Sequence, residues 1–138
     1  MYNLLVYLKV VAEYSKDVHY NLSGLSFIAN HEYMDKVNED ALNYIDEINE
    51  QYYMANGLSV PRSTNVMESA IKITPEIGDN ALMIENLLKS IKSVIYSCEE
   101  NSKNNDGDIL SKTALGDLLG RISSSFSKHY GLLSKIVT

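Results

Sequence analysis

What most constrains this chain is a set of long stretches in which apolar residues recur every three or four positions, in a sequence with only two prolines among 138 residues. Leu4, Leu5, Leu8, Val11 and Ala12 mark the first helix, ending near Asn21 to Gly24. Met34, Val37, Ala41, Ile45, Ile48 and Tyr52 mark a second, predicted from about Phe27 to Asn56, with Gly57 placed to stop it. From Gly57 to Gly78 the pattern weakens, and Pro61 and Pro75 punctuate a connection too long for an antiparallel hairpin. Within it Ser63 is placed to cap a short helix carrying Val66, Met67 and Ile71. A third long helix is expected from Asp79, with Leu82, Leu88, Ile91, Ile95 and Cys98 as its stripe. Glu99 to Gly107 reads as a loop, and a fourth helix from about Asp108 carries Leu115, Leu118, Leu119, Ile122, Phe126, Leu133 and Ile136. The expectation is one all-α domain over residues 1–138, a ferritin-like four-helix bundle of up-down-down-up order, whose long crossover between helices two and three carries the short helix.

Composition excludes several function classes. At 45% hydrophobic and 22% charged residues the chain reads as globular. A net charge of −6 has the wrong sign for a surface that wraps nucleic-acid phosphates. The early apolar run Leu4 to Leu8 is broken by Lys9, so neither a membrane span nor a secretory signal is expected. A single cysteine, Cys98, cannot form an intramolecular disulfide and suits a reducing compartment, so the cytoplasm is expected.

The chemistry-bearing residues are His19, His31, Asp35, Asp46 and Glu50. Imidazole and carboxylate together suit a divalent iron or zinc site, and four of the five lie on the second helix. At about 100° per residue, His31, Asp35, Asp46 and Glu50 all project from one polar face, away from the apolar stripe. Asp35 and Asp46 are eleven residues apart, roughly 16 Å along the helix, so the two pairs cannot grip one metal within one chain. Each pair is half a site. If two copies of this helix cross antiparallel about a twofold axis near Asp40 and Ala41, His31 and Asp35 of one meet Asp46 and Glu50 of the other, with His19 completing each of two equivalent sites. The competing reading is a solvated acidic face, since Glu32, Asp35, Glu39, Asp40, Asp46, Glu47 and Glu50 stand against a single lysine, Lys36, in that segment.

The stretch His19-Tyr20-Asn21-Leu22-Ser23-Gly24, then Phe27 to Asp35, then Asp46-Glu47-Ile48-Asn49-Glu50, resembles the Dps family of mini-ferritins. The pattern of a histidine, a second histidine twelve positions on, an aspartate four further, and then Asp-x3-Glu matches in residue type and spacing. The likeness extends over nearly the whole chain, through Asp106-Gly-Asp and the last helix with His129-Tyr130. It implies a hollow homo-oligomeric cage, a dodecamer, that oxidises ferrous iron at intersubunit sites with hydrogen peroxide or dioxygen, stores the ferric mineral inside, and protects against oxidative damage. It assigns His19, His31 and Asp35 to one subunit's half of a ferroxidase site, and Asp46 and Glu50 to its mate's half. Iron is then the metal, or zinc in its place. The alternative under the same likeness is a structural or DNA-associated cage whose sites hold zinc or are inactive.

Two features depart from the family pattern. The position after the first histidine, commonly tryptophan in the family, is Tyr20, and the chain has no tryptophan. The first helix begins almost at Met1, without the basic tail some members use on DNA, so DNA binding is disfavoured, although Arg121, Lys128 and Lys135 leave the last helix mildly basic. Asp106, Asp108 and Asp117 are candidates for an acidic cation entry, or else ordinary loop and cap residues. Single-bundle di-iron proteins use Glu-x-x-His motifs, and here the residues three before His19, His31 and His129 are Lys16, Ile28 and Phe126. His129 and Cys98 read as buried packing residues, and the ten tyrosines as interface aromatics or radical interceptors.

Overall fold

The computed structural model describes residues 1–104 and 109–136. Its helices are α1 (Tyr2–Asn21), α2 (Gly24–Ile48), α3 (Ser63–Ile71), α4 (Asn80–Lys103) and α5 (Lys112–Leu133), and among the described residues there is no strand. α1 packs along α2 and α4, α5 packs on α4, and the short α3 lies against α1. The crossover Gly57 to Gly78 carries α3 and makes this a ferritin-like bundle. One cluster of buried side chains, among them Leu4, Leu8, Tyr14, Met34, Ile48, Leu87, Ile91 and Phe126, runs through all five helices.

Polar pins set the register of this packing. The buried Asn38 amide donates to the Ala12 carbonyl at 2.7 Å, tying α2 to α1. The fully buried Tyr14 donates from its hydroxyl to the Glu76 carbonyl at 2.8 Å, and Tyr2 to the Asn65 carbonyl at 3.1 Å, anchoring both parts of the crossover on α1. Each joins a side chain of one element to the main chain of another, so the bond fixes the position of one along the other.

Several sequence expectations are corrected. α2 starts at Gly24 rather than near Phe27, because Gly24 at φ +64° turns the chain sharply enough for the helix to begin at once. Its α-helical part stops at Ile48, and Asn49–Met54 is a π-helix, so the expected α-helix to Asn56 widens over its last turns; Gly57, at φ +67°, ends it as expected. Ser63 is the first residue of α3, not its cap; Arg62 holds that position without a side-chain bond, and Ile71 is exposed. Asp79 does cap α4, accepting from the Leu82 amide at 2.8 Å. The core stripe of α4 is Met83, Ile84, Leu87, Ile91, Val94 and Cys98; Ile91 and Cys98 are buried as expected, while Met83, Leu87 and Val94 take the places expected for Leu82, Leu88 and Ile95, and Leu82 lies exposed. The expected loop at Glu99 is helix through Lys103, because polar side chains there cap their own turns, Asn101 donating to the Ser97 carbonyl at 2.7 Å. α5 begins at Lys112, capped by the Ser111 hydroxyl accepting from Ala114 at 3.1 Å, rather than near Asp108. Asp106, Gly107 and Asp108 lie outside the described residues.

Candidate metal centre

The α1–α2 turn builds the site. His19 sits in the last turn of α1, and Leu22 and Ser23 are all that separate that helix from α2. The turn is locked from α4, where the Asn80 side chain accepts from the Ser23 amide at 3.1 Å and donates to the Ser23 carbonyl at 3.0 Å. The two helices therefore diverge from a fixed point, and the rings of His19 and His31 lie 5.3 Å apart, between centroids.

Both imidazoles are oriented the same way. His19 donates from Nδ1 to the His31 carbonyl at 2.5 Å, and His31 donates from Nδ1 to the Phe27 carbonyl at 2.5 Å. A carbonyl can only accept, so each Nδ1 carries the proton and each Nε2 is left as a free lone pair. Fixing the ring through one nitrogen while freeing the other is how metal-ligating histidines are held. Phe27 stacks on His31 with ring centroids 4.3 Å apart and planes 7° apart, and Tyr20 meets His19 edge-on at 5.0 Å. The aromatic at position 20 thus packs on the site's histidine, while remaining 69% exposed.

Asp35 completes the cluster, with Oδ1 3.5 Å from His19 Nδ1. Its nearest partner is a cation: Lys16 Nζ lies 2.5 Å from the same oxygen. The ammonium holds the Asp35 carboxyl below the usual carboxylate range, and the carboxylate in turn raises the lysine. Lys16 and Phe27 were not singled out from the sequence, although the signal was present. Lys16 is one turn before His19 and Phe27 one turn before His31, positions that share a helix face.

Asp46 and Glu50 are not brought to this cluster. Both are exposed, Asp46 farther along α2 and Glu50 within the π-helix. The i→i+5 bond from the Ala55 amide to the Glu50 carbonyl, 3.1 Å, replaces α-helical spacing there. Exposed apolar side chains flank these residues along α2: Leu25, 85% exposed, and Ile28, 74%, precede His31, and Leu42, 42%, lies between Asp35 and Asp46. Ile28, Asp35, Leu42 and Asp46 fall within about 40° of one another around the helix. Among the described residues, no three His, Cys, Asp or Glu side chains of the single chain are arranged to hold a metal ion.

The remaining expected residues are placed as follows. Asp117 accepts from Arg121 Nε at 3.0 Å, and Arg121 also bonds Glu47 at 2.8 Å, so this candidate entry carboxylate is paired within the chain. Cys98 is buried, and burial pushes its thiol up to about 12. His129 is buried as expected, but both its nitrogens are engaged, by Tyr33 and Asp40.

Comparison with known proteins rests on structure, since no family model and no curated protein matches this sequence. The X-ray structure of Dps from Thermosynechococcus elongatus superposes with a TM-score of 0.81 at 18% sequence identity, over 96% of this chain and 84% of that one. The chain has the Dps fold. Within that fold His19, His31 and Asp35 stand together near the α1–α2 turn, with Asp46 exposed farther along α2 and Glu50 exposed in the π-helix that follows it. No described helix is long and apolar enough to cross a membrane.

Proposed function

We propose that this chain is a Dps-type mini-ferritin of the cytoplasm, a ferroxidase that oxidises ferrous iron with hydrogen peroxide at sites shared between two subunits and stores the product in a dodecameric cage. The observation that carries the reading is the common orientation of His19 and His31, each holding Nδ1 on a main-chain carbonyl and leaving Nε2 free, with the Asp35 carboxylate 3.5 Å from His19 on its Nδ1 side. Two neutral imidazoles and carboxylates form a mixed nitrogen and oxygen donor set that suits ferrous iron. Asp46 and Glu50 of a twofold-related copy supply the remaining oxygens, and Leu25, Ile28 and Leu42 supply the apolar contact that buries the junction.

In this reading the substrate is ferrous iron, and three carboxylates offset the charge that grows as it becomes ferric. Two ferrous ions give two electrons to one hydrogen peroxide, which with two protons leaves as two waters. His19 and His31 bind through Nε2 while their Nδ1 protons stay on the carbonyls. Phe27 and Tyr20 pack on the rings of His31 and His19 and so hold them in place. The net charge of −6 argues against DNA as a partner.

Lys16 favours a second reading, in which the ammonium occupies the cation position and the cage is structural, its sites holding zinc or nothing. Stopped-flow ferrous oxidation separates the two. H31A/D35A is expected to slow the initial rate by about a hundredfold or more with the oligomer intact by size-exclusion chromatography. Equal rates in the wild type and the double variant, with zinc in the purified protein, select the second reading.

A further inference from the structure

A second polar cluster, built around the third histidine, lies on the other side of α2. His129 of α5 is nearly buried, with a side chain 5% exposed, and both ring nitrogens carry short bonds: Tyr33 Oη lies 2.6 Å from Nδ1 and Asp40 Oδ2 2.6 Å from Nε2. An ionised carboxylate only accepts, so Nε2 bears the proton, and Nδ1 is a lone pair that accepts the Tyr33 hydroxyl proton. The chain is ordered as tyrosine to imidazole to carboxylate. Ser125 adds a longer contact to Asp40 at 3.5 Å, and Phe126 meets the imidazole edge-on at 5.4 Å between centroids.

A phenol that loses an electron becomes a strong acid, so the ease of its oxidation depends on whether a base already holds its proton. The other bonded tyrosine hydroxyls have no such base. Tyr2 donates to the Asn65 carbonyl, Tyr14 to the Glu76 carbonyl and Tyr44 to the Arg121 carbonyl. Among the described residues Tyr33 is the one tyrosine hydroxyl bonded to a titratable side chain. The geometry points to Tyr33 as a reversible one-electron donor, with His129 receiving its proton and Asp40 stabilising the imidazolium that results.

The placement gives the donor a use, and this part rests on the ferroxidase reading above. Tyr33 is two residues from both His31 and Asp35, so its Cα lies roughly 5.4 Å from theirs while its side chain points to the opposite side of the same helix. The phenol and the two ligands thus stand across one helix, whose diameter with side chains is ~10–12 Å. When one ferrous ion meets one hydrogen peroxide, it supplies a single electron, and breaking the O–O bond leaves hydroxide and a hydroxyl radical. Tyr33 supplies the second electron. The products are a ferric ion, two hydroxides, a Tyr33 phenoxyl radical and His129 protonated on Nδ1. A later ferrous ion returns the electron, the proton moves back to the phenolate oxygen, and the pair is restored.

The test uses the assembled protein in two arms. In the first, metal-free protein is oxidised by flash-quenched ruthenium tris-bipyridine, and the tyrosyl radical is followed by absorbance and electron paramagnetic resonance. A long-lived radical is expected in the wild type and in Y44F, absent in Y33F, and shorter-lived by about a hundredfold in H129Q, the scale on which a positioned proton acceptor acts. Y33F removes only a hydroxyl, so it keeps the test valid if H129Q fails to fold. A long-lived radical that persists in folded Y33F overturns the proposal. In the second arm, freeze-quenched samples receive one ferrous ion per site and peroxide. A radical in the first arm with none in the second leaves Tyr33 as the donor and refutes the iron reading.

Discussion

Two histidine environments flank α2, and they are finished in opposite ways. His19 and His31, both half-buried, each spend Nδ1 on a main-chain carbonyl and leave Nε2 free. His129 spends both nitrogens on side chains and keeps nothing. Around α2, Tyr33 and Asp40 stand about 180–200° from His31, so one helix separates the two. The difference teaches that a histidine's chemistry is set by what its second nitrogen meets. A ring with a carbonyl on one side and solvent on the other can accept a cation, whereas a ring between a phenol and a carboxylate can only pass a proton between them.

That contrast can be broken from either side. The largest effect is expected at Phe126, which is fully buried and touches both His129 and Tyr44; Phe126→Ala should cost about 3–5 kcal/mol in urea unfolding. A loss below 1 kcal/mol, roughly the scale of a surface change, would mean the His129 environment is not packed as described. On the other side, His19→Ala should slow ferrous oxidation by about 10–100-fold without lowering the thermal midpoint, because that ring serves as a metal ligand rather than as part of the buried core. Replacing His129 with leucine deprives the Tyr33 hydroxyl and Asp40 of their partner, and about 1–3 kcal/mol of stability should go with it. If H129L is instead as stable as the wild type, the two short bonds carry no net weight.

The smallest effect sharpens the comparison at its cation. Lys16 holds the Asp35 carboxyl below its ordinary value, so their mutual stabilisation is present above the usual carboxylate range and is lost as pH falls through the lowered value. The lysine is raised, so the same pairing is complete below the ordinary lysine value and is lost as pH rises through the raised one. Both groups are well solvated, so K16M should leave stability unchanged within error. Carbon-detected NMR on metal-free protein should show the Asp35 carboxyl titrating higher in K16M than in the wild type, and ferrous binding at low concentration should strengthen. An unmoved carboxyl would show that the ammonium does not rest on Asp35 in solution.

How far this molecule could be read in advance varied by level. Three-and-four spacing located every long helix, because burial of one stripe is a demand each helix meets by itself. Phase was harder. In α4 both Leu82 and Met83 are apolar, and it is the neighbouring helices, not the leucine, that put Met83 inside and leave Leu82 43% exposed. Polarity misled at Glu99 to Lys103, where asparagine and serine bond their own preceding turns instead of ending the helix. The π-helix over Asn49–Met54 left no mark in the apolar pattern, since Ile48 and Tyr52 keep the four-residue step either way.

The spacing of His19, His31, Asp35, Asp46 and Glu50 was written in the chain, and with it the arithmetic that no single α2 can close one site over roughly 16 Å. Helix rise is a local property, so a string of letters suffices to compute it. Which imidazole nitrogen is free, that Lys16 reaches Asp35, and that Tyr33 meets His129 across 96 residues were decided by the packing of one helix against another. Those contacts join residues that no local rule relates, because the bonds a side chain leaves unmade depend on which neighbours the folded chain brings to it.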